Sequence, residues 1–330
     1  MINQKHTAYD LIQMQSLPLD IKIRMTKERI RQWYEYWDGQ VYISFSGGKD
    51  STVLKHIVDS MYNDIPAVFV NTGLEYPEIQ KFAMSQKNVV TVRPEMRFDE
   101  VIKKYGYPVV SKEVAQTVWE AKKNVKTGKY TYRIKKLNGE LLDKNGKYSS
   151  YNIPKWKFLL DAPYDISHKC CDVMKKRPAK TYERKTGRKA IIGTLASEST
   201  LRKTQWVKYG CNAFETKRPT SQPLSFWTEQ DILHYIKQFD VPYCSVYGDI
   251  VPVNEGTLLK TTGCDRTGCI FCMFGCHLEK EPNRFQRLKE THPRQYEYCI
   301  GGGEMVDGKW QPSKEGLGLG KVLDYINVKY

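Results

Sequence analysis

The sequence predicts an α/β protein built on a doubly wound parallel sheet, because short apolar runs alternate with segments of helical periodicity. Alternating strands and helices form parallel sheets, and ligands bind at the carboxyl ends of their strands. The runs with the length and composition of buried strands are Val41–Phe45, 66–71, 89–92 and 189–193. Helical spacing is found near 77–86, 98–105, 172–183 and 228–239, and before the first strand at Ile21, Met25, Ile30 and Trp33.

The composition is that of a globular protein with an excess of positive charge. The 330 residues are 40% hydrophobic and 27% charged, with a formal net charge of +15, which excludes a disordered or fibrous chain. No apolar stretch approaches the roughly 20 residues that span a bilayer. The first residues lack the basic and then apolar layout of a signal peptide. We therefore expect a cytoplasmic protein without a membrane partner.

The distribution of motifs divides the sequence into three parts. A helical segment is expected over 1–40 and a nucleotide-binding domain over 41–240. A cysteine-rich C-terminal region is expected over 241–330.

A glycine-rich loop directly follows the first predicted strand. Ser46-Gly-Gly-Lys-Asp-Ser51 leads into a helix whose apolar positions Val53, Leu54, Ile57 and Val58 share one face. Glycines let backbone N–H groups approach an anion, and a helix N-terminus adds the positive end of its dipole. Lys49 and the two serine hydroxyls are expected to reach phosphate oxygens, and Asp50 to cap the helix or hold Mg²⁺. The motif differs from a Walker A loop.

The basic charge is concentrated in an insertion within the nucleotide-binding domain, at residues 121–157. Eleven Lys and Arg residues stand here against Glu140 and Asp143, which makes +9 of the total +15. Asn138-Gly139 and Asn145-Gly146 predict short hairpins. Interleaved aromatic residues suit phosphate contacts and base stacking, so we expect contact with DNA or tRNA. A solvated, mobile loop is the alternative. The aromatic residues are Tyr130, Tyr132, Tyr148, Tyr151 and Trp156.

All nine cysteines lie after residue 169. Cys264, Cys269, Cys272 and Cys276 fall within thirteen residues, a spacing that lets one loop present several sulfurs to one metal centre. An iron–sulfur cluster is the preferred interpretation, with zinc as the alternative. Cys211, Cys244 and Cys299 are interpreted as ordinary residues, and Cys299, close to the C-terminal tail, as a mobile thiol.

Several ordered motifs resemble a known family. The loop 46–51 is similar to the PP-loop of the ATP-pyrophosphatase superfamily, which has the adenine nucleotide alpha-hydrolase-like fold. Segments 67–77, 191–202 and 223–232 resemble its phosphoadenosine-phosphosulfate (PAPS) reductase branch. The resemblance implies an ATP or nucleotide-sulfate site with Mg²⁺, in which Lys49 and Asp50 are catalytic. The implied nucleotide-binding residues are Ser46, Gly47, Gly48, Lys49, Asp50, Ser51, Val70, Asn71, Thr72, Gly73, Gly193, Glu198 and Arg202.

A second resemblance concerns the metal ligands. The segment 169–178 is similar to the Cys-Cys motif of assimilatory adenylyl-sulfate reductases, in which a cysteine pair and a later Cys-x-x-Cys hold a 4Fe–4S cluster. This implies Cys170 and Cys171 with Cys269 and Cys272. The local quartet Cys264, Cys269, Cys272 and Cys276 instead resembles the iron–sulfur loop of DNA-phosphorothioation sulfurtransferases. Both ligand sets remain open at this point.

Three functions follow from these resemblances. The preferred one is ATP-dependent sulfur transfer through adenylation, with a partner protein that supplies sulfur or electrons and with a nucleic acid among the candidate acceptors. The alternative is thiol-dependent reduction of PAPS or adenylyl sulfate. The reductases carry their nucleophile in a C-terminal Glu-Cys-Gly-Leu-His motif, whereas this sequence has no cysteine after Cys299. A protein of another class, which senses nucleotides or binds nucleic acid without turnover, is the third.

Overall fold

The computed structural model describes residues 5–254 and 256–330, apart from the side chain of Lys126. The first four residues of the expected segment 1–40 lie outside this range. The strands are β1 (Val41–Phe45), β2 (Ala67–Val70), β3 (Val89–Val92), β4 (Val109–Val110), β5 (Lys189–Ile192), β6 (Asn212–Ala213), β7 (Thr220–Ser221), β8 (Ile250–Val253), β9 (Leu258–Thr261), β10 (Met273–Phe274), β11 (Glu304–Val306) and β12 (Lys309–Gln311).

The segments predicted to be helical near 77–86, 98–105 and 228–239 form α-helices to within a few residues, and the segment near 172–183 begins as a π-helix (Asp172–Lys176). The described α-helices include these and others that the sequence analysis did not predict. They are α1 (Ala8–Gln15), α2 (Leu19–Tyr36), α3 (Lys49–Asp59), α4 (Pro77–Ser85), α5 (Phe98–Tyr105), α6 (Lys112–Lys126), α7 (Tyr132–Asn138), α8 (Arg177–Thr186), α9 (Thr200–Tyr209), α10 (Glu229–Gln238), α11 (Arg284–Thr291), α12 (Pro293–Ile300) and α13 (Leu319–Tyr325). None of the described helices is both long enough and apolar enough to cross a membrane.

The chain folds into two compact units that do not follow its linear order. The first unit runs to Asn71 and continues through Glu75–Arg93 and Pro178–Thr267. The second unit contains Thr72–Leu74, Pro94–Arg177 and Gly268–Tyr330. The basic insertion therefore belongs to the same unit as the C-terminal region, a grouping that the division at residues 40 and 240 does not anticipate.

The first unit is organised around a central sheet, which in the described chain has six strands in the order β3-β2-β1-β5-β7-β6. All neighbouring strands are parallel except β6 and β7. Alternate residues of β1 enter different cores: Ile43 packs with α2 and α3, whereas Tyr42 packs with Tyr182 of α8. This arrangement confirms the predicted α/β class and places the end of β1 in the middle of the sheet.

The predicted apolar face of α3 is fully buried. Val53, Leu54, Ile57 and Val58 each have no exposed side-chain area and pack in the core that contains Ile30 and Trp33 of α2. Burial of an aliphatic side chain contributes about 1.5–3 kcal/mol, so this face fixes α3 against the sheet. The loop between β1 and α3 is thereby held in a defined position.

The second unit is built mainly of helices and short strand pairs. β4 pairs in parallel with β10, and the hydroxyl of Tyr107 donates a hydrogen bond of 2.8 Å to the carbonyl of Leu317. Helix α6 buries Val114, Ala115 and Val118 on one face, as an amphipathic helix does.

One of the two predicted hairpins is wrong. Asn138-Gly139 ends helix α7, and Gly139 caps it in the left-handed conformation with φ of 81°. The same dipeptide suits both roles because hairpin turns and helix C-caps each require positive φ. Asn145-Gly146 does form a turn, since the N–H of Asp143 donates to the carbonyl of Lys147 at 2.7 Å.

Candidate nucleotide site and cysteine cluster

The loop between β1 and α3 is held by hydrogen bonds among its own residues. The hydroxyls of Ser46 and Ser51 lie 3.0 Å apart, and Ser51 donates to the carbonyl of Gly48 at 2.9 Å. The N–H of Ser46 donates to the Ser51 hydroxyl at 3.2 Å. The loop is thus formed before any ligand arrives, which lowers the entropy cost of binding an anion.

Two glycines allow this loop to pack closely. Gly47 has φ of +73°, and a Cβ there would lie 3.1 Å from Cγ2 of Ile79. Gly193 follows β5, the parallel neighbour of β1, and a Cβ there would lie 2.9 Å from the carbonyl oxygen of Asp50. The end of β5 therefore touches the start of α3, and only glycine permits that approach.

A cavity of about 590 Å³ opens at the carboxyl ends of these strands. Eight of the predicted nucleotide-binding residues line it: Ser46, Gly48, Lys49, Asp50, Ser51, Gly193, Glu198 and Arg202. Further polar residues line it that the sequence analysis did not identify, among them Glu229, Tyr247, Asp265, Arg266 and Thr267.

The charged groups of this cavity are paired with one another. The ammonium of Lys49 is 6% exposed and lies 3.2 Å from Oε1 of Glu229. Arg202 and Arg266 both form ion pairs with the carboxylate of Glu198. Arginine presents a planar fork that matches phosphate as well as carboxylate, so Glu198 holds in place two side chains with the geometry to bind phosphate.

Asp50 and Tyr247 are both altered by burial. Burial raises the pKa of the Asp50 carboxyl, while Arg266 and Lys49 oppose the change. Burial also raises the pKa of Tyr247 to about 12, so its phenol is neutral, and it hydrogen-bonds with the hydroxyl of Thr267 at 2.7 Å. The Lys49 ammonium lies 5.2 Å from the centre of the Tyr247 ring, a cation–π contact.

The residues expected beside adenine or ribose lie elsewhere. Val70 ends β2 and Asn71 follows it, with the Asn71 side-chain oxygen accepting from Nε2 of Gln80 at 2.7 Å. Neither is among the described residues that line the cavity. Thr72 and Gly73 belong to the second unit.

Four of the cysteines of the second unit form a cluster, here called the cysteine cluster and defined as Cys170, Cys171, Cys269 and Cys272. All nine cysteines are described, and none of them forms a disulfide. Cys170 hydrogen-bonds with Cys171, and this bond, burial and the charges of Cys171, Cys269 and Cys272 raise the pKa of Cys170. These four thiols are therefore close enough to influence one another.

Basic side chains surround the cysteine cluster. The hydrogen bond from Cys170 lowers the pKa of Cys171 to about 6; Lys112 and Lys175 act in the same direction, and burial opposes them. The Arg284 guanidinium donates to the carbonyl of Cys272 at 2.8 Å. Cationic groups of this kind stabilise thiolates, which are the form in which cysteine binds metals.

The other two members of the sequence quartet have different surroundings. Cys264 belongs to the first unit and packs against the core of Ile79, Cys244 and Tyr247. Cys276 is 2% exposed, and its thiol donates to the carbonyl of Met273 at 3.0 Å. Burial raises the pKa of Cys276 to about 11. Within the described ranges, no group of three or more His, Cys, Asp or Glu side chains is arranged to hold a metal ion.

The expectation of a mobile Cys299 is wrong. Cys299 lies on α12 with no exposed area, and burial raises the pKa of its thiol. Cys211 and Cys244 are also buried, as expected of ordinary core residues.

A glycine-rich loop between a central parallel strand and a helix, with a lysine and two arginines around it, defines a nucleotide-binding α/β protein of the PP-loop class. The phosphoadenosine phosphosulfate reductase domain family matches residues 40–274 of this sequence. The chain belongs to that family.

The relatives include two uncharacterised proteins of Methanocaldococcus jannaschii. One is 24% identical over 274 residues and the other 23% identical over 293 residues, which are 80% and 86% of this chain. The chain spans about half the length of these relatives, 48% in each case. Among solved structures, a PAPS reductase from Candida auris in complex with phosphate is 14% identical, with a TM-score of 0.37, over 70% of this chain and 91% of the other.

Proposed function

We propose that this chain is an enzyme of sulfur-nucleotide chemistry that uses ATP to transfer sulfur. ATP adenylates an oxygen of the acceptor, and pyrophosphate leaves on the PP-loop. A sulfur atom at the oxidation level of sulfide, delivered by a donor protein, then displaces AMP. Membership of the PAPS reductase domain family and the pre-formed loop at residues 46–51 support this proposal.

The charge balance of the cavity is the observation that carries the choice of ATP. The lining holds three basic side chains, Lys49, Arg202 and Arg266, and four acidic ones, Asp50, Glu198, Glu229 and Asp265. With one negative charge in excess, the cavity repels a bare polyphosphate. A nucleotide that arrives with Mg²⁺ removes this repulsion, and Mg²⁺ usually binds through one or two carboxylates and the phosphates.

Each residue of the loop has a role in this reaction. The N–H groups around Gly48, the hydroxyls of Ser46 and Ser51 and the ammonium of Lys49 bind the β- and γ-phosphates. Asp50 is the carboxylate placed to hold the accompanying Mg²⁺, which neutralises phosphate charge. Arg202 and Arg266 are oriented by Glu198 and stabilise the negative charge that develops on the departing pyrophosphate.

The proposed reaction has two steps, and in each step one bond forms and one bond breaks. An acceptor oxygen attacks the α-phosphorus, the bond from that phosphorus to the bridging oxygen breaks, and pyrophosphate takes the electron pair. The sulfur nucleophile then attacks the carbon that carries the adenylated oxygen. The carbon–oxygen bond breaks, and AMP leaves with the electron pair. Adenylation thus converts a poor leaving group into a good one.

The chemistry of the cysteine cluster supports an iron–sulfur centre, although the described side chains are not arranged around a metal site. It offers four thiols in one unit, their charges interact, and Lys112, Lys175 and Arg284 compensate negative charge nearby. Cys170, Cys171, Cys269 and Cys272 would hold a 4Fe–4S cluster, which supplies electron transfer or a labile sulfur. Zinc binds four thiolates equally well, so iron analysis and the absorption spectrum must decide between the two metals.

The acceptor proposed for this reaction is a nucleic acid bound by the basic insertion. Of its ten basic side chains that the structure describes, seven are exposed: Lys123, Lys129, Lys135, Lys144, Lys147, Lys155 and Lys157. Exposed lysines bind polyanions with displacement of counterions.

The test is a comparison of two reactions on anaerobically purified protein of known metal content. We expect AMP and pyrophosphate from ATP, Mg²⁺ and nucleic acid, and formation of both about 10²–10³-fold slower with an Asp50→Asn variant. Sulfite formed from PAPS or adenylyl sulfate with a thiol reductant would contradict the proposal and establish a reductase. Nucleotide binding without either product would establish a non-catalytic sensor.

A further inference from the structure

Helix α6 carries a polar and aromatic stripe that the proposed function does not use. Its buried face contains Val114, Ala115 and Val118. On another face, positions 112, 116, 119 and 123 follow one another at spacings of four, three and four residues, which aligns them along the helix. At 1.5 Å per residue, Lys112 and Lys123 are about 17 Å apart.

The two ends of this stripe have different neighbours. Lys112 hydrogen-bonds with Cys171 of the cysteine cluster. Lys123 belongs to the basic insertion, which begins on the last turns of the same helix. The stripe therefore joins the cysteine cluster to the basic insertion within the second unit.

Trp119 lies in the middle of the stripe and is surrounded by cationic groups. The ammonium of Lys123 lies 3.5 Å from the ring centre of Trp119, and that of Lys169 lies 5.2 Å away. The ring of His168 meets Trp119 edge-on at 5.6 Å. Lys169 directly precedes Cys170 in the chain.

We propose that Trp119 is the stacking site for an unpaired base of the nucleic-acid acceptor, with Lys123 and Lys169 binding its flanking phosphates. This inference rests on the proposed function, for which it names the acceptor as single-stranded. A flat ring with two adjacent ammonium groups matches a base between two phosphates. An acidic peptide would use the lysines and not the ring, and duplex bases are already stacked on each other.

The exposed tyrosines of the insertion extend the same surface chemistry. Tyr130, Tyr132, Tyr148 and Tyr151 are 57%, 55%, 79% and 70% exposed. Exposed aromatic rings among lysines suit a flexible strand whose bases are free to stack at several places. Trp119 differs from these tyrosines in being half-buried and in having two lysines near its ring, one of which, Lys169, adjoins the cysteine cluster.

The experiment measures binding of the full chain to oligothymidylate, to an abasic oligonucleotide of equal length and to a duplex. We expect Trp119→Ala to weaken oligothymidylate binding about tenfold and to leave abasic binding unchanged, because stacking requires a base. Trp119→Phe should restore most of the affinity. Trp310→Ala is the matched control and should leave oligothymidylate binding unchanged, since Trp310 lies outside the basic insertion and also has a lysine near its ring, Lys321 at 4.3 Å.

Four results would overturn the inference: unchanged oligothymidylate binding, an equal loss for the abasic chain, preference for the duplex, or full displacement by polyglutamate at equal charge. If Trp119→Ala does not fold, Lys123→Gln tests the same site. The slope of log K for oligothymidylate binding against log salt concentration should then fall in magnitude by about 0.7. ATP binding by the same variants is measured in parallel. If the parent protein shows no ATP turnover, ATP-dependent sulfur transfer is refuted. The conclusion about base stacking on Trp119 would still stand, because it depends on oligonucleotide binding alone.

Discussion

Charged side chains are concentrated in both the nucleotide cavity and the basic insertion, but they are paired in the cavity and mostly exposed in the insertion. In the cavity, Lys49 is buried beside Glu229, and two arginines share Glu198. In the insertion, seven of the ten described basic side chains are exposed, and Lys136 is buried in an ion pair with Glu113. Buried and paired charges are held in one geometry, whereas exposed lysines move freely in water.

This difference separates two kinds of recognition. A fixed arrangement of charges selects one ligand by shape and loses its function when a single group is removed. A field of exposed lysines binds any polyanion, and its strength depends on salt and on the number of contacts. Under the proposed function, the same chain combines a specific phosphate site with a general polyanion surface, and a substitution in one should leave the other unchanged.

The largest effect is expected from removing the Asp50 carboxylate in the cavity. Asp50→Asn should lower ATP turnover by about 10²–10³-fold, the usual cost of losing one charge-stabilising group. Burial raises the Asp50 pKa, so the folded chain favours the protonated form, and stability falls as pH rises through that pKa. The variant should therefore be at least as stable as the parent protein at neutral pH.

Asp59→Asn is the control for this variant, since Asp59 lies on the same helix and pairs with Lys55 at 2.5 Å at the surface. Equal ATP turnover by the Asp50→Asn variant and the parent protein would show that Asp50 has no role in the reaction.

A smaller effect should follow from a methyl group at Gly193. Gly193→Ala places a Cβ 2.9 Å from the carbonyl oxygen of Asp50, so the loop must shift. We expect a loss of about 1–3 kcal/mol in the free energy of unfolding and weaker ATP binding. Gly268→Ala has open space around its Cβ and should change neither quantity. Denaturant unfolding measures the free energy of unfolding, and nucleotide titration measures ATP affinity. A Gly193→Ala variant with the parent's values for both would refute the close packing.

The insertion should respond to loss of charge gradually. Replacing Lys144 and Lys147 by Gln should reduce the salt dependence of single-strand binding. The slope of log K against log salt concentration should fall in magnitude by about 1.4, or 0.7 for each lost contact. Lys136→Gln should do the reverse: it should leave the salt dependence unchanged and lower the free energy of unfolding by at most about 1 kcal/mol, because Glu113 is exposed and is hydrated when it loses its partner. Binding isotherms at several salt concentrations test this, and equal slopes for all the variants would contradict it.

The smallest effect concerns pH. Burial lowers the pKa of His6, His56, His168 and His277 below 6.5. Protons therefore bind more tightly to these rings in the unfolded chain, so their contribution to stability is complete above 6.5 and is lost as pH falls through their lowered pKa values. The melting temperature of the His56→Gln variant should fall less than that of the parent protein between neutral and mildly acidic pH. An identical pH profile would exclude His56 as a contributor.

The fold was predictable because its signals are local. The strands 41–45 and 89–92 are continuous apolar runs, and the face of Val53, Leu54, Ile57 and Val58 repeats with helical period. Ser46, Lys49 and Asp50 lie in one short motif. These features depend on neighbours in the sequence, so no knowledge of the folded chain was needed to find them.

The remainder of the cavity was not predictable in this way. Glu229 begins α10, and Tyr247 and Arg266 come from later loops, where no motif marks them. They reach the phosphate loop because the sheet order places distant segments side by side. Asn138-Gly139 failed for a related reason, since a dipeptide that permits positive φ does not reveal whether a helix precedes it.

The burial of the cysteines has a practical consequence for identifying the metal ligands. Cys171, Cys264, Cys269 and Cys272 are partly accessible in the native chain, whereas the other five cysteines are buried. Brief alkylation followed by peptide mass mapping therefore reports on these four alone. A metal centre on the cysteine cluster would protect Cys171 and leave Cys264 reactive, and a centre on the local quartet would do the opposite. The folded protein thus contains its own internal standard for deciding between the two ligand sets.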